Sequence, residues 1–218
     1  MVGNSVQDVQ DMHAAELASL GRFAGGVSVL AVVLTARDVF AGTVASLICV
    51  HCTVVNEVQV WPPYIGRNRT AICRAFLASR HDMLVMVDAD MQFGPDALAT
   101  LVHAADMTHG IVGGLYTSTR RGGSEVFLEA WRADADGHLT ALTDPPAGCD
   151  AVDAVGAGLM VIPRRVLEAM SDPWFPDGSD EDLRFCLAAR ALGITVFVHG
   201  GVPVGHARTL PFFPGGAR

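Results

Sequence analysis

Met83-Leu84-Val85-Met86-Val87-Asp88-Ala89-Asp90 runs five apolar residues without a break into two carboxylates one residue apart. A short, continuous apolar run predicts a strand buried on both faces. In open α/β sheets, ligands sit beyond the carboxyl ends of the strands, where Asp88 and Asp90 stand. Two carboxylates leaving a buried strand are costly to desolvate unless a cation or a donor compensates them. A Mg²⁺ or Mn²⁺ ion bridging a diphosphate suits such a pair, because hard cations prefer oxygen ligands and phosphates. The plainer reading is an acidic turn that opens a solvent-exposed loop. By itself the motif does not decide.

On either side the same pattern repeats. Ser28 to Leu34 is another apolar run, followed by helical patterns at about Phe40 to Val50 and Arg69 to Ser79. Pro95 to Ala105 predicts a helix with Leu98, Leu101 and Val102 on one face, and Ile111 to Tyr116 a further strand. Strands alternating with helices predict an α/β fold with a mainly parallel central sheet. Val126 to Arg132 and His138 to Leu142 flank Asp134-Ala135-Asp136-Gly137, the signature of an antiparallel hairpin inserted into that scheme. Leu159 to Ile162 and Ile194 to Val198 predict strands. Pro163 to Met170 and Asp180 to Leu192 predict helices, the second stopped by Gly193. Ahead of all this, Val6, Val9, His13, Leu17 and Leu20 recur at helical spacing, so residues 1–25 predict a helical extension and 26–218 a single domain. That extension packs either on the domain or on a partner subunit, which leaves a homo-oligomer open.

Composition narrows the function classes. Half of the 218 residues are apolar and 17% are charged, which supports a folded core and excludes a disordered chain. The net charge of −8 argues against binding nucleic acid through non-specific phosphate contacts. Val27 to Leu34 is far shorter than the roughly 20 residues that span a bilayer, and no cationic run precedes it as in a signal peptide. No membrane span is expected. Five cysteines without framework spacing suit a reducing, cytoplasmic setting, and Cys49-x-x-Cys52 reads as buried thiols.

Two later features bear on chemistry. Ser179-Asp180-Glu181-Asp182 opens a helix, where Ser179 and Asp182 match a capping pattern and acids favour the N-terminus. Three successive acids exceed what a cap requires, and one of them could deprotonate a hydroxyl. Both readings stand at this stage. Gly205-His206 follows the last predicted strand; a lone histidine is more often structural than a ligand. Val155-Gly156-Ala157-Gly158 lacks the Lys-Ser/Thr of a P-loop; close backbone packing beside a bound ligand and a catalytic contribution both stand as readings. Trp174, Phe175 and Tyr116 read as core aromatics, with sugar stacking as the alternative.

Taken in order, Val27 to Leu34, Gly66-Arg67-Asn68, Leu84 to Met91, Ile111 to Gly114, Val155 to Gly158, Trp174-Phe175, Glu181-Asp182 and Gly193 to His206 resemble the family-2-like glycosyltransferases of the GT-A fold, especially short bacterial and phage-encoded members. The resemblance implies a nucleotide-diphospho-sugar transferase fold and transfer of a sugar from a UDP- or GDP-sugar to an acceptor hydroxyl, with inversion. It implies a Mn²⁺ or Mg²⁺ site at Asp88, Asp90 and His206, with Asp90 the direct ligand and Asp88 nearer the ribose or the metal shell. Glu181 and Asp182 match the family's catalytic pair, Asp182 being preferred as the base. Arg67 and Asn68 match its Arg-Asn pair near the nucleotide; Thr35, Ala36 and Arg37 would flank the base, and Ala89 and Gly158 would line the donor. Gly66 departs from the alanine common before Arg-Asn, and the proline common after the first strand is missing. The acceptor classes left open are a glycan, a lipid-linked saccharide, a protein and a modified nucleic-acid base.

Two rival classes remain. A nucleotidyltransferase should carry a glycine-rich, basic signature after the first strand, and Thr35-Ala36-Arg37-Asp38 matches it poorly. A catalytically silent nucleotide-sugar-binding relative would not need the acids and His206 intact.

Overall fold

The structure is a computed structural model that describes residues 27–35, 41–48, 53–58, 65–119 and 125–207. The expected N-terminal helix, Ala36, Arg37 and the Cys49/Cys52 pair lie outside the described residues.

The two apolar runs pair directly. Strand β1 (Val29–Thr35) lies between β2 (Thr53–Val58) and β3 (Met83–Asp88), parallel to both. Helix α1 (Ala41–Ile48) lies between β1 and β2 in the chain, and α2 (Ile65–Ala78) between β2 and β3. Beyond β3 the chain makes a short strand β4 (Met91–Phe93), helix α3 (Ala97–Thr108) and strand β5 (Ile111–Leu115). Strand β12 (Leu159–Pro163) enters between β3 and β5, antiparallel to each. Strand β13 (Val196–His206) lies parallel to β5, and β10 (Cys149–Val152) closes that edge. The eight-stranded sheet is ordered β10-β13-β5-β12-β3-β1-β2, with β4 on β13. Five of its strands, β1, β2, β3, β5 and β13, point the same way, so their carboxyl ends share one rim.

Side chains alternate across this sheet with period two, and each face is apolar. Leu30, Val32 and Leu34 face α2, helix α4 (Arg164–Ala169) and helix α5 (Glu181–Ala191) through Ile72, Phe76, Leu167 and Phe185. Val29, Ala31 and Val33 belong to the opposite face, which α3 covers with Leu98, Leu101 and Val102. Helix, sheet and helix thus form three layers.

The predicted hairpin is present. Strand β8 (Ala130–Ala133) pairs antiparallel with β9 (Leu139–Ala141) across a turn in which Asp134 Oδ1 accepts from the amides of Asp136 and His138, both at 2.9 Å. Gly137 takes φ +84° there. With β11 (Ala154–Val155) on β8, and β6 (Thr117–Thr119) paired with β7 (Val126–Leu128), this is the small antiparallel insert.

Several elements depart from the sequence expectation. Helix α2 begins one turn before Arg69, so Gly66, Arg67 and Asn68 are helical. Strand β13 continues past Val198 to His206; its register shifts between His199 and Pro203, across Gly200-Gly201. A Cβ on Gly200 would strike the Pro146 carbonyl, so glycine permits the close passage of that segment. Beyond the shift the strand pairs with β4, setting His206 opposite Met91. Glycine and proline mask strand periodicity, which is why this extension is hard to see in the sequence.

Helix α2 is held at both ends, by an arginine at one and by a glycine contact at the other. Arg164 donates to the carbonyls of Phe76, Leu77, Ser79 and His81 at 2.8–3.1 Å, taking up the carbonyls that the helix end leaves unpaired. At the other end Gly66 lies against the Pro176 carbonyl, and a Cβ there would collide with it. Glycine is required here for contact, which accounts for its departure from the alanine of the resembled family. Gly66→Ala should therefore destabilise the fold by about 1–3 kcal/mol, the range for overpacking, lowering the melting temperature by several degrees. Thermal and urea unfolding would measure this.

Candidate active site

The rim formed by the strand ends gathers acids from across the chain. Asp88 terminates β3, and its amide donates to the Gly158 carbonyl at 2.8 Å, locking it to the loop before β12. Ala89 donates to the Leu34 carbonyl at 3.0 Å and accepts from the Thr43 hydroxyl at 2.9 Å, which ties the turn to β1 and α1. Glu181 and Asp182 form the first turn of α5. The capping reading is corrected here: the N-cap is Asp180, it makes no side-chain capping bond, and both following acids turn to tertiary partners.

Arg69 organises these groups. It is 2% exposed, and its guanidinium reaches Asp88 Oδ1 at 3.1 Å, Glu181 Oε1 at 3.2 Å and the Ala157 carbonyl at 3.3 Å. Burial works against its charge, but Asp88, Glu181 and Asp182 outweigh that and raise its pKa. Burial raises Asp88 while Arg69 opposes the shift, and Asp90 and Asp182 add to it. Burial raises Glu181 as well, against Arg69 and with Asp182. Among the described residues, Arg69 is the cation that contacts Asp88 and Glu181, and a site with several carboxylates around one guanidinium favours an added positive charge.

Asp182 is seated differently. Its Oδ2 accepts from the Ala157 amide at 3.1 Å and its Oδ1 from the Leu183 amide at 2.9 Å. It is half-buried, whereas Glu181 is 5% exposed and committed to Arg69. Tyr116 packs beneath the loop: its hydroxyl accepts from the Gly158 amide at 3.0 Å, and a Cβ on Gly156 or Gly158 would collide with its ring. Of the two readings of Val155 to Gly158, the close packing is what these contacts show, and Tyr116, Trp174 and Phe175 are core residues as expected.

His206 arrives from the other end of the chain. Its Nε2 lies 3.3 Å from Asp90 Oδ2, and Ala207 donates to the Asp90 carbonyl at 2.9 Å. Its Nδ1 lies 3.2 Å from the Thr117 carbonyl oxygen, an obligate acceptor, so Nδ1 carries a hydrogen. In the neutral ring Nε2 then presents a lone pair to a carboxylate. Two acceptors that close require a proton or a metal ion between them, and this donor set fits Mn²⁺ or Mg²⁺. Asp88 shares both of its oxygens with Arg69 and does not close on the Asp90–His206 pair as a tight triad. Among the described residues, the one set of three such side chains with donor atoms all within 4.8 Å is Asp134, Asp136 and His138, on the exposed hairpin turn.

Thr35 ends β1, and Arg37 lies outside the described residues. Arg67 points outward, with 68% of its side chain exposed, and pairs with Asp177 at 2.7 Å. Asn68 is half-buried. Sequence reasoning missed Arg69, two residues from the quoted Arg67, although it shares a helical stripe with Cys73 and Phe76, where an arginine is out of place. It also missed Ser118 and Glu129, which carried no local signal. A cavity of about 460 Å³ lined by Asp82, Asp106, Arg164 and Glu168 lies at the opposite end of β3, away from this chemistry.

Two outcomes test this electrostatic reading. Arg69→Met should destabilise the protein by about 3–5 kcal/mol at neutral pH, the cost of stranding buried charge. The deficit should shrink as pH falls, since protonation neutralises Asp88 and Glu181; chemical denaturation across pH would check both. Glu129 is the second case, a half-buried carboxyl pushed up to about 7 by burial, with Asp182 and Asp88 adding and Ser118 and His206 opposing. Its folded value exceeds the unfolded 4.5, so the unfolded chain binds fewer protons between the two. Stability should therefore be lost as pH rises from about 4.5 to 7, and Glu129→Gln should remove that part of the slope in metal-free protein.

The fold has known counterparts. A197 from STIV superposes with a TM-score of 0.62 at 16% identity, over 82% of this chain and 84% of that one. The GalNAc-T7 structure with UDP, GalNAc and Mn²⁺ superposes with a TM-score of 0.56 at 12% identity, over 99% of this chain, which spans 55% of that longer protein. No curated protein sequence matches the chain. The sequence profile of glycosyl transferase family 21 matches residues 27–170, about two thirds of the chain, from β1 through α4. The chain belongs to glycosyl transferase family 21, and it is a glycosyltransferase with a GT-A fold.

Proposed function

We propose that the protein transfers a hexosyl group from a UDP- or GDP-sugar to an acceptor hydroxyl, with inversion and with a divalent cation held by Asp90 and His206. The observation that carries this reading is the meeting of His206 Nε2 with Asp90 Oδ2 at 3.3 Å, with Nδ1 facing a carbonyl. The Mn²⁺ and UDP in the GalNAc-T7 structure, on the same fold, lend support. When bound, Mn²⁺ or Mg²⁺ offsets the charge that develops on the departing diphosphate.

The protein's own groups divide the remaining work. Asp88, held by Arg69, faces the same rim and offers an acceptor to the ribose or the outer shell of the ion. Asp182 is the base that takes the proton of the acceptor hydroxyl: it is half-buried at the rim, and its two backbone donors fix its orientation. Glu181 is turned inward to Arg69 and serves to seat its neighbour. In this reading Gly158 and Ala89 bring backbone close to the donor, and Thr35 and Asn68 serve the nucleotide end; the same role for Arg37 and Arg67 comes from the motif resemblance. No described helix is long and apolar enough to cross a membrane. The family profile ends at residue 170, before both Asp182 and His206, so their roles rest on the motif resemblance and the geometry.

A thermal-shift screen of UDP- and GDP-sugars with and without Mn²⁺ should name the donor. Mn²⁺-stimulated release of UDP or GDP should follow. Asp182→Asn should slow transfer by roughly 10²- to 10⁴-fold and leave donor affinity within a few-fold. Equal losses in binding and turnover would remove Asp182 as the base. Tight donor binding with no release at all would instead make the protein a silent binder.

A further inference from the structure

Helix α1 sends two hydroxyls to the segment that carries the strand-end acids. Thr43 is fully buried, and its Oγ1 donates to the Ala89 carbonyl at 2.9 Å. Ser46, three residues on and on the same side of the helix, accepts from the Phe93 amide at 3.0 Å. The hydrogen of Ser46 goes back to the Gly42 carbonyl at 2.8 Å, the local bond that hydroxyls often make within helices. Thr43 instead sends its hydrogen out of the helix, to the residue between Asp88 and Asp90.

Three successive peptide planes make the turn from Asp88 to Met91, and a different part of the chain holds each. The Asp88–Ala89 plane is held from β1, since the Ala89 amide donates to the Leu34 carbonyl at 3.0 Å. The Asp90–Met91 plane is held from the segment after β13, where the Ala207 amide donates to the Asp90 carbonyl at 2.9 Å. The plane between them, Ala89–Asp90, is held by Thr43. That plane ends at the Asp90 Cα, so its rotation swings the carboxylate that stands 3.3 Å from His206 Nε2. The two outer bonds join main chain to main chain, whereas the middle one needs a side-chain donor at position 43. Ser46 supports the same geometry one step away: the strand it ties to α1 is β4, which pairs with β13 and sets His206 opposite Met91.

We propose that Thr43 is a positioning residue for Asp90, its hydroxyl fixing the Ala89–Asp90 peptide so that the carboxylate is already aimed at the cation it shares with His206. This rests on the reading of Asp90 and His206 as the cation site. A carboxylate on a loose turn has to be ordered when the ion arrives, and that ordering is subtracted from affinity. Groups that orient a metal ligand from behind are typically worth roughly 10- to 100-fold in metal binding.

The test is a Mn²⁺ titration followed by electron paramagnetic resonance, at saturating UDP and again at saturating GDP. Thr43→Val keeps the branched shape and removes the donor, and it should raise the Mn²⁺ Kd roughly tenfold. Thr43→Ser keeps the donor and loses a methyl, and its Kd should stay within about threefold of wild type. A residue that served packing alone would give the reverse order, because serine leaves the larger void. A Kd within about twofold of wild type in Thr43→Val overturns the proposal, and so does a Thr43→Ser variant as weak as Thr43→Val or weaker. Should Thr43→Val not fold, Thr43→Ala takes its place as the donor-free variant and must again bind Mn²⁺ more weakly than Thr43→Ser. If the wild-type protein takes up no Mn²⁺ with either nucleotide, the cation reading itself fails and the role of Thr43 falls with it.

Discussion

The site depends on one buried guanidinium. Arg69 lies in the dry layer between α2 and the sheet, where a lone charge would be costly. It is tolerated because two carboxylates and a carbonyl converge on it, and they are tolerated because it is there. Asp88 comes from the end of β3 and Glu181 from the start of α5, so this shared contact joins the middle of the chain to its last helix. A lysine would hold only one of these partners well, because only a planar fork offers several donors in fixed directions. With Glu181 drawn inward, Asp182 is left at the rim, and the adjacent acids acquire different environments.

The second constraint is the shape of β13. A straight continuation beside β5 would carry the chain past the rim. The register shift at Gly200-Gly201 redirects it onto β4, and the antiparallel pairing there sets His206 against the turn that contains Asp90. The insert contributes the other side of this arrangement. Thr117 and Ser118 in β6 meet the imidazole. The sheet supplies the acids, and the insert supplies the groups that orient the ring.

Much of the scaffold could be read in advance. The apolar runs at Ser28 to Leu34 and Met83 to Val87 were recognisable as strands because both faces of the sheet are covered, which removes polar interruptions. The hairpin at Asp134 to Gly137 was recognisable because an Asx turn and a glycine with positive φ are local requirements. Asp88, Asp90, Glu181, Asp182 and His206 stood out as a set, and the fold brings them to one rim. Arg69 carries no motif of its own beside Arg67-Asn68, and only helical phase distinguishes them, sending Arg67 to Asp177 at the surface and Arg69 to the acids.

What the sequence determined by itself was whatever rests on local physics: burial of the runs, alternation of strands and helices, the turn chemistry, and the presence of acids at a strand end. Tertiary structure alone decided which charges meet. Whether an aspartate faces a guanidinium, an imidazole or two backbone amides depends on neighbours brought from distant parts of the chain. Electrostatic energy depends on those distances and on the water excluded around them, and neither quantity is written in residue order.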